Sequence, residues 1–215
     1  MVDVCAVQVG DTWYGLAHEG RRVVASATGT TRTEAMLRVE RHLPPSTHRR
    51  FLDEPSEFAE ATCTMMAELE AGQEEHKHFV LAEEHLPPSQ VRVLKAAAAI
   101  PVGYVTSYGR VAGVAETQAR VVGRVMATNP LYPIVPCHRV VGVDFALVGY
   151  GGSTECESLE AKLARLQAEA RGFADERDID VAGRLLHVFP VERVIEKHAH
   201  EKPRQGRLFD PREEE

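Results

Sequence analysis

Residues 129–139 read N-P-L-Y-P-I-V-P-C-H-R, and the organisation of the chain follows from where this run can sit. It sets Cys137 directly beside His138. A cysteine attacks only as its thiolate, and a neighbouring base is one way to make it so. Side chains adjacent in sequence do not face each other on a regular helix or strand. Cys137 and His138 can therefore cooperate only in an irregular turn or through a water. Pro133 and Pro136 disfavour any regular element at that place. A Cys-His pair alone carries little information. Its neighbours carry more: I-P-V-G-Y-V-T-S-Y-G-R-V-A at 100–112, A-R-V-V-G-R-V-M-A-T-N-P at 119–130, I-V-P-C-H-R-V-V at 134–141 and V-G-Y-G-G at 148–152.

Upstream of the run, Tyr108–Val114 and Gln118–Ala127 read as two short helices with a few residues between, the spacing of a helix-turn-helix. Tyr104-Val105-Thr106 is strand-like. Ser89 is expected to cap a helix over Gln90–Ile100, with Val91, Leu94 and Ala98 inward and Pro101 and Gly103 closing it. Leu86-Pro87-Pro88 marks the expected boundary with an earlier domain. There, strands are expected over Val2–Val9, Thr12–His18 and Arg22–Ala27, joined by tight turns at Gly10 and Gly20. A helix over Thr33–Leu43 ends at Pro44-Pro45. A second covers Ser56–Ala71, with Phe58, Ala61, Met65, Met66 and Leu69 inward and Gly72 closing it. Phe79-Val80-Leu81 reads as a short strand. Downstream, Asn129–Gly152 is irregular and Leu159–Gly172 is an amphipathic helix. From Phe173 the chain is charged, with one apolar island at Leu185–Phe189 and a disordered end at Asp210–Glu215. The expected organisation is an α/β domain over 1–85, a domain over 86–172 holding the helix pair and Cys137, and a charged, partly disordered extension over 173–215.

With 215 residues, the chain can bury one or two proper cores. Hydrophobic residues at 44% and charged residues at 27% exclude disorder throughout and any fibrous repeat. The apolar run Ala96–Val102 falls far short of the roughly 18–20 residues of a membrane helix. The first residues, MVDVCAVQVGDTWYG, lack the pattern of a signal peptide, so an intracellular protein is expected. Cys5, Cys63, Cys137 and Cys156 form no C-x-x-C pair, which argues against a zinc ribbon or a thioredoxin-type site. A net charge of -7 argues against a nucleic-acid partner, yet Pro88–Gly152 alone carries +4 and the remainder -11. Local charge sets the field a phosphate backbone meets.

Taken together, the four motifs resemble the O6-alkylguanine-DNA alkyltransferases, or methylated-DNA–protein-cysteine methyltransferases, most closely in their short archaeal form. The likeness covers 88–172 by motif and 1–85 in layout only, as that family's ribonuclease-H-like N-terminal domain. The second domain is then a helix-turn-helix, winged-helix-like alkyltransferase domain. The resemblance implies that Cys137 accepts the alkyl group and that His138 deprotonates it through a water. It implies that Glu169, seven residues after Lys162, holds the histidine. Glu160 competes for that role, because Ser153–Glu160 is longer and more acidic than the family's usual link. Asn129 would tie the helix-turn-helix to the active-site turn. Tyr108 would help flip the nucleotide and protonate the leaving guanine, and Arg120 would fill the space left in the duplex. Backbone groups of Cys137, Val140 and Gly151 would bind the guanine edge, with Tyr150 and Met126 lining the pocket. The DNA-facing set is expected to be Arg120, Tyr108, Ala119, Gly123, Arg124, Ser107 and Arg139. No metal and no organic cofactor are implied. The expected partner is duplex DNA carrying an O6-alkylated guanine, met in the minor groove by a monomer in the cytoplasm, at the nucleoid.

The residue types suit that chemistry. Moving an alkyl group from a guanine oxygen needs in-line attack at a saturated carbon by a soft nucleophile. A free thiol is mostly protonated at neutral pH, so a His–Glu pair is needed to favour the thiolate. The base is stacked in a duplex and has to be flipped out. Ala119, Val121, Val122, Gly123 and Ala127 leave the second short helix slim enough for a minor groove. Glu116, between the two helices, would repel DNA unless it points away. His76, His78 and His85 among Glu74, Glu75, Glu83 and Glu84 read as a solvated loop in preference to a zinc site, as does His198-x-His200. Gln205-Gly206-Arg207-Leu208-Phe209 resembles a short motif that docks on sliding clamps. Two other classes are a catalytically silent lesion sensor, which would lack the cysteine, and a cysteine hydrolase, for which the helix pair would have no purpose.

Overall fold

The structure, a computed structural model, describes residues 1–73, 79–149 and 156–199. His76, His78, Tyr150, Gly151, His200 and the Gln205–Phe209 motif lie outside the described residues. The first unit is built on a sheet of order β3-β2-β1-β4. Strands β1 (Val2–Val9), β2 (Thr12–Glu19) and β3 (Arg22–Gly29) form an antiparallel meander, with Val9 opposite Thr12 and Glu19 opposite Arg22. Both hairpin turns place a glycine at positive φ, Gly10 at 60° and Gly20 at 57°, which is why the meander could be read from its glycines. Helix α1 (Arg32–Glu40) is capped by Thr31, whose side chain accepts from the Glu34 amide. It lies so close to the sheet that a Cβ at Gly15 would stand 2.6 Å from the Ala35 carbonyl oxygen. Strand β4 (Arg49–Phe51) then runs parallel to β1. Helix α2 (Glu57–Glu70) begins at its Ser56 cap, and Gly72 follows at φ 71°.

The second unit starts with α3 (Pro88–Ala98), then β5 (Tyr104–Ser107) and the helix pair α4 (Tyr108–Val114) and α5 (Ala119–Ala127). A single 3-10 turn over Cys137–Arg139 leads into β6 (Val140–Val141). Helix α6 (Cys156–Ala168), strands β7 (Arg177–Val181) and β8 (Arg184–Pro190) and helix α7 (Glu192–Ala199) complete it. The second sheet has the order β6-β5-β8-β7. Among the described residues no helix is long and apolar enough to cross a membrane.

One core joins the units. Tyr14, Leu16, Val23 and Met66 of the first pack in the same buried cluster as Val93, Leu94, Leu131, Val135 and Cys137 of the second. The backbone joins them too, since the Ser26 amide donates to the Pro130 carbonyl at 2.8 Å. The outer edge of β3 thus holds the loop that carries Cys137.

Several expectations are corrected. The helix assigned to a Ser89 cap begins instead at Pro88, because a first-turn position needs no amide donor and suits proline. Ala61 and Ala98 face solvent; Thr62, Cys63 and Ala97 take the inward positions beside them. Phe79-Val80-Leu81 makes only one bridge, Val23 to Leu81. The helix expected over Leu159–Gly172 runs from Cys156 and stops at Ala168, so Glu169 lies just past its end. The largest difference concerns 177–199, expected within a charged extension. These residues form a hairpin and a helix in the second sheet. The apolar island is strand β8, whose Leu186 and Val188 are buried, while the charged residues of β7 occupy the sheet edge.

Candidate active site

Asn129, buried at the end of the helix pair, ties the Cys137 loop together. Its side-chain amide donates to the Val135 carbonyl at 2.8 Å, and its Oδ1 accepts from the Leu131 amide at 3.0 Å. The turn that follows buries Cys137, His138 and Arg139 side by side. His138 Nε2 donates to Glu169 Oε1 at 2.7 Å. That tautomer leaves Nδ1 with a lone pair, and Nδ1 is buried without a protein hydrogen bond among the described residues. Glu169, and not the exposed Glu160, therefore holds the imidazole.

Arg139 departs from its expected place. It is 6% exposed and cannot face DNA. Its guanidinium grips Glu169 through Nε at 2.9 Å and Nη2 at 2.9 Å and donates from Nη1 to the Ile100 carbonyl at 2.7 Å. A buried carboxylate needs more than one donor to stay charged, and His138 alone supplies one. Burial works against the charge of Glu169, but His138 and Arg139 overcome it and hold the carboxyl down to about 2.

Burial also pushes the Cys137 thiol up and the His138 imidazole down, which favours the uncharged form of each. Lys162, Asn129 and Arg165 pull the thiol the other way. Sequence reasoning used Lys162 only as a reference point and missed its place. It is fully buried, with Nζ donating to the Val140 carbonyl at 2.7 Å and the Gly149 carbonyl at 3.3 Å. Burial lowers it to about 8, and a thiolate at Cys137 would favour its charge. The available signal was its register. Lys162, Leu166 and Glu169 fall at i, i+4 and i+7, which sets two charged residues on the apolar side of a helical stretch.

Tyr108 is half-buried under the same ammonium, with Lys162 Nζ 5.8 Å from its ring centre and its hydroxyl donating to the Val148 carbonyl at 3.2 Å. Burial, with the neighbouring Cys137, raises it to about 12. Val140 is buried beside the site, and Met126 lies buried on the inner face of α5. Arg120, Arg124 and Ala119 are exposed on α5. A Cβ at Gly123 would meet nothing within 4 Å, so no packing among the described residues requires a glycine there. Ser107 caps α4, accepting from the Arg110 amide at 3.3 Å. Glu116, in the turn between the helices, has φ 51° and pairs with Arg184 at the start of β8. Glu19, Glu84 and His85 come together, but Arg22 and the N-terminal amine already neutralise the carboxylates.

A family model described as the 6-O-methylguanine DNA methyltransferase DNA-binding domain matches residues 88–171. A methylated-DNA–protein-cysteine methyltransferase of Pyrobaculum aerophilum is 57% identical over 56 residues, 26% of this chain and 38% of that protein. One of Mycobacterium leprae is 44% identical over 82 residues, 37% of this chain and 47% of that one. These alignments span less than half of either relative. Solved structures are matched over more of their length. Mycobacterium tuberculosis OGT in complex with DNA shares 29% identity at a TM-score of 0.57, over 78% of this chain and 93% of that one. For Mycobacterium tuberculosis O6-methylguanine methyltransferase the values are 31% and 0.57, over 81% and 97%. With its sheet order, helix pair and buried Cys-His-Glu arrangement, the chain belongs to the O6-methylguanine-DNA methyltransferase family.

Proposed function

We propose that the protein repairs DNA directly, by moving the alkyl group of an O6-alkylguanine irreversibly onto Cys137. The observation that supports this best is the buried Cys137 beside an imidazole whose Nε2 is held by Glu169 at 2.7 Å. In the proposed step the Cys137 proton passes to His138 Nδ1 through a water. The thiolate attacks the alkyl carbon, the carbon–oxygen bond breaks, and the guanine leaves with a proton from Tyr108. The new imidazolium faces Glu169, and Lys162 steadies the charge on sulfur before attack and on the tyrosine oxygen after it. Arg120 is proposed to enter the stack, with Ala119, Gly123 and Arg124 against the minor groove. The thioether has no easy way back, so one molecule acts once.

Intact-protein mass spectrometry after incubation with an O6-methylguanine duplex tests this reading. The expected result is one added CH2 unit per chain, mapped to the Cys137 peptide. An unmodified chain that still shifts the duplex in a gel would support a lesion sensor and overturn the transfer. Duplex DNA bound by a monomer at the nucleoid remains part of the proposal. So does clamp docking by Gln205–Phe209, which a clamp pull-down unchanged by deleting 205–209 would remove.

Glu116 gives a separate check on the DNA face. A non-glycine residue in the left-handed region costs about 1–2 kcal/mol. Its exposed pair with Arg184 returns at most about 1 kcal/mol. Glu116→Gly should therefore leave stability within about 1 kcal/mol. Removing an anion beside the helix pair should tighten duplex binding by roughly two- to fivefold at low salt, with the gain fading as salt rises. Fluorescence anisotropy across a salt series reads this; equal affinities at low salt would place the turn away from DNA.

A further inference from the structure

Glu70 is a part-buried carboxylate that the proposed chemistry does not use. It ends helix α2, in the first unit, with a side chain 16% exposed. Three groups converge on it. Tyr14 of β2 donates its hydroxyl at 2.6 Å, Tyr132 of the Cys137 loop donates at 2.7 Å, and Arg165 of α6 forms an ion pair. Arg165 also lies over the Tyr132 ring, 5.3 Å from its centre. Burial works against the charge of Glu70, yet the two hydroxyls and Arg165 keep its carboxyl below the usual range. It is therefore a fixed anion, gripping one residue of the reactive loop and one of the helix behind it.

Both partners bear on the thiol. Tyr132 precedes Cys137 in the loop bounded by Asn129 and Pro136. Arg165 lies one turn after Lys162 and one before Glu169, and its charge favours a Cys137 anion while disfavouring a His138 cation. Among the described residues, the other groups that bear on the thiol are Lys162, Asn129, Tyr108 and the His138–Glu169–Arg139 cluster. None of these comes from the first unit, and Glu70 is a charged link by which that unit reaches Arg165 and Tyr132.

We propose that Glu70 is a positioning residue which, from the first domain, fixes Tyr132 and Arg165 around the Cys137 loop and so sets the reactivity of the thiol across the domain boundary. The inference rests on Cys137 being the reactive thiol, and its test needs no DNA.

The full chain is treated with iodoacetamide from pH 5 to 10, and carboxamidomethylation of the Cys137 peptide is followed by mass spectrometry. Arg165→Gln should raise the midpoint of the pH profile by roughly half to one unit, slowing the reaction at neutral pH about three- to tenfold, and Arg165→Lys should restore part of it. Glu70 separates positioning from plain charge. Losing a nearby anion by charge alone would favour the thiolate and lower the midpoint for Glu70→Gln. Positioning requires the midpoint to rise, as it does for Arg165→Gln, and the double variant to rise no further. Glu70→Asp keeps the charge but draws it back by one methylene, so it should also raise the midpoint while the fold is retained. A lowered or unchanged midpoint in both Glu70 variants, or additive effects in the double variant, would overturn the inference. Transfer from the O6-methylguanine duplex is measured alongside. A wild-type chain that reacts with iodoacetamide but takes no methyl group would sink the proposed function and leave the coupling standing.

Discussion

Cys137→Ala is expected to take up no methyl group from an O6-methylguanine duplex, while binding that duplex within about twofold of the wild type. Removing a nucleophile from a catalytic unit commonly costs on the order of 10⁶ in rate, and a single-turnover reaction then falls below detection. Binding should survive because the thiol and the proposed DNA face are separate. Cys137 is 7% exposed, whereas Ala119, Arg120 and Arg124 lie exposed on α5. Stability should fall by about 1 kcal/mol, since one buried heavy atom is lost. Cys5 and Cys63 provide the internal control. Both are buried in the first unit, where burial pushes their thiols up to about 11 and beyond the usual range respectively. A methyl adduct that persists in Cys137→Ala would show that another residue is the acceptor.

Glu169→Ala should have the largest effect on stability. The carboxylate is 2% exposed and serves His138 and Arg139 together. Its loss leaves the buried Arg139 guanidinium with the Ile100 carbonyl as its one remaining hydrogen-bond partner among the described residues. Breaking a buried pair from one side costs about 3–5 kcal/mol, a large part of a typical stability of about 5–15 kcal/mol. Transfer should slow by about 10²-fold or more, because the imidazole loses the contact that keeps its base lone pair on Nδ1. Acid titration gives an independent reading. The Glu169 carboxyl is held at about 2 in the folded chain, well below the usual carboxylate range. Its contribution is fully present above the unfolded value and is lost as pH falls from there towards about 2. Urea unfolding between pH 6 and 3 should show a steep loss of stability in the wild type and a flatter one in Glu169→Ala. Parallel curves would mean that Glu169 is not the charge that holds this cluster.

Much of this could be read before any coordinates, and the reason is local. Gly10 and Gly20 punctuate the meander, Ser56 caps α2, and the run Tyr108–Val114 carries its own helical spacing. What escaped depends on contacts distant in sequence. Strand β4 is three residues, Arg49-Arg50-Phe51, with no alternation; it exists because β1 offers a free edge. The hairpin β7–β8 looks like charged tail because its charges occupy a sheet edge. On sequence alone Arg139 falls within the DNA-facing set. Nothing local shows that Glu169, thirty residues on, draws it into the core. The same holds for Lys162 and Glu70, whose partners are carbonyls and hydroxyls on other elements.

The place of β8 bears on how the molecule is made. Strand β5, which leads directly into the helix pair, is flanked in its sheet by β6 and β8. Strand β8 begins at Arg184, so β5 leaves the ribosome about 80 residues before its partner. At about 5–20 residues per second, that interval is roughly 4–16 s. During it the nascent chain already contains the reactive turn, but one flank of β5 is open to solvent. Val105, fully buried in the finished protein, has to wait for Phe189 beside it. Cys137 is thus translated long before the sheet beside its turn is complete.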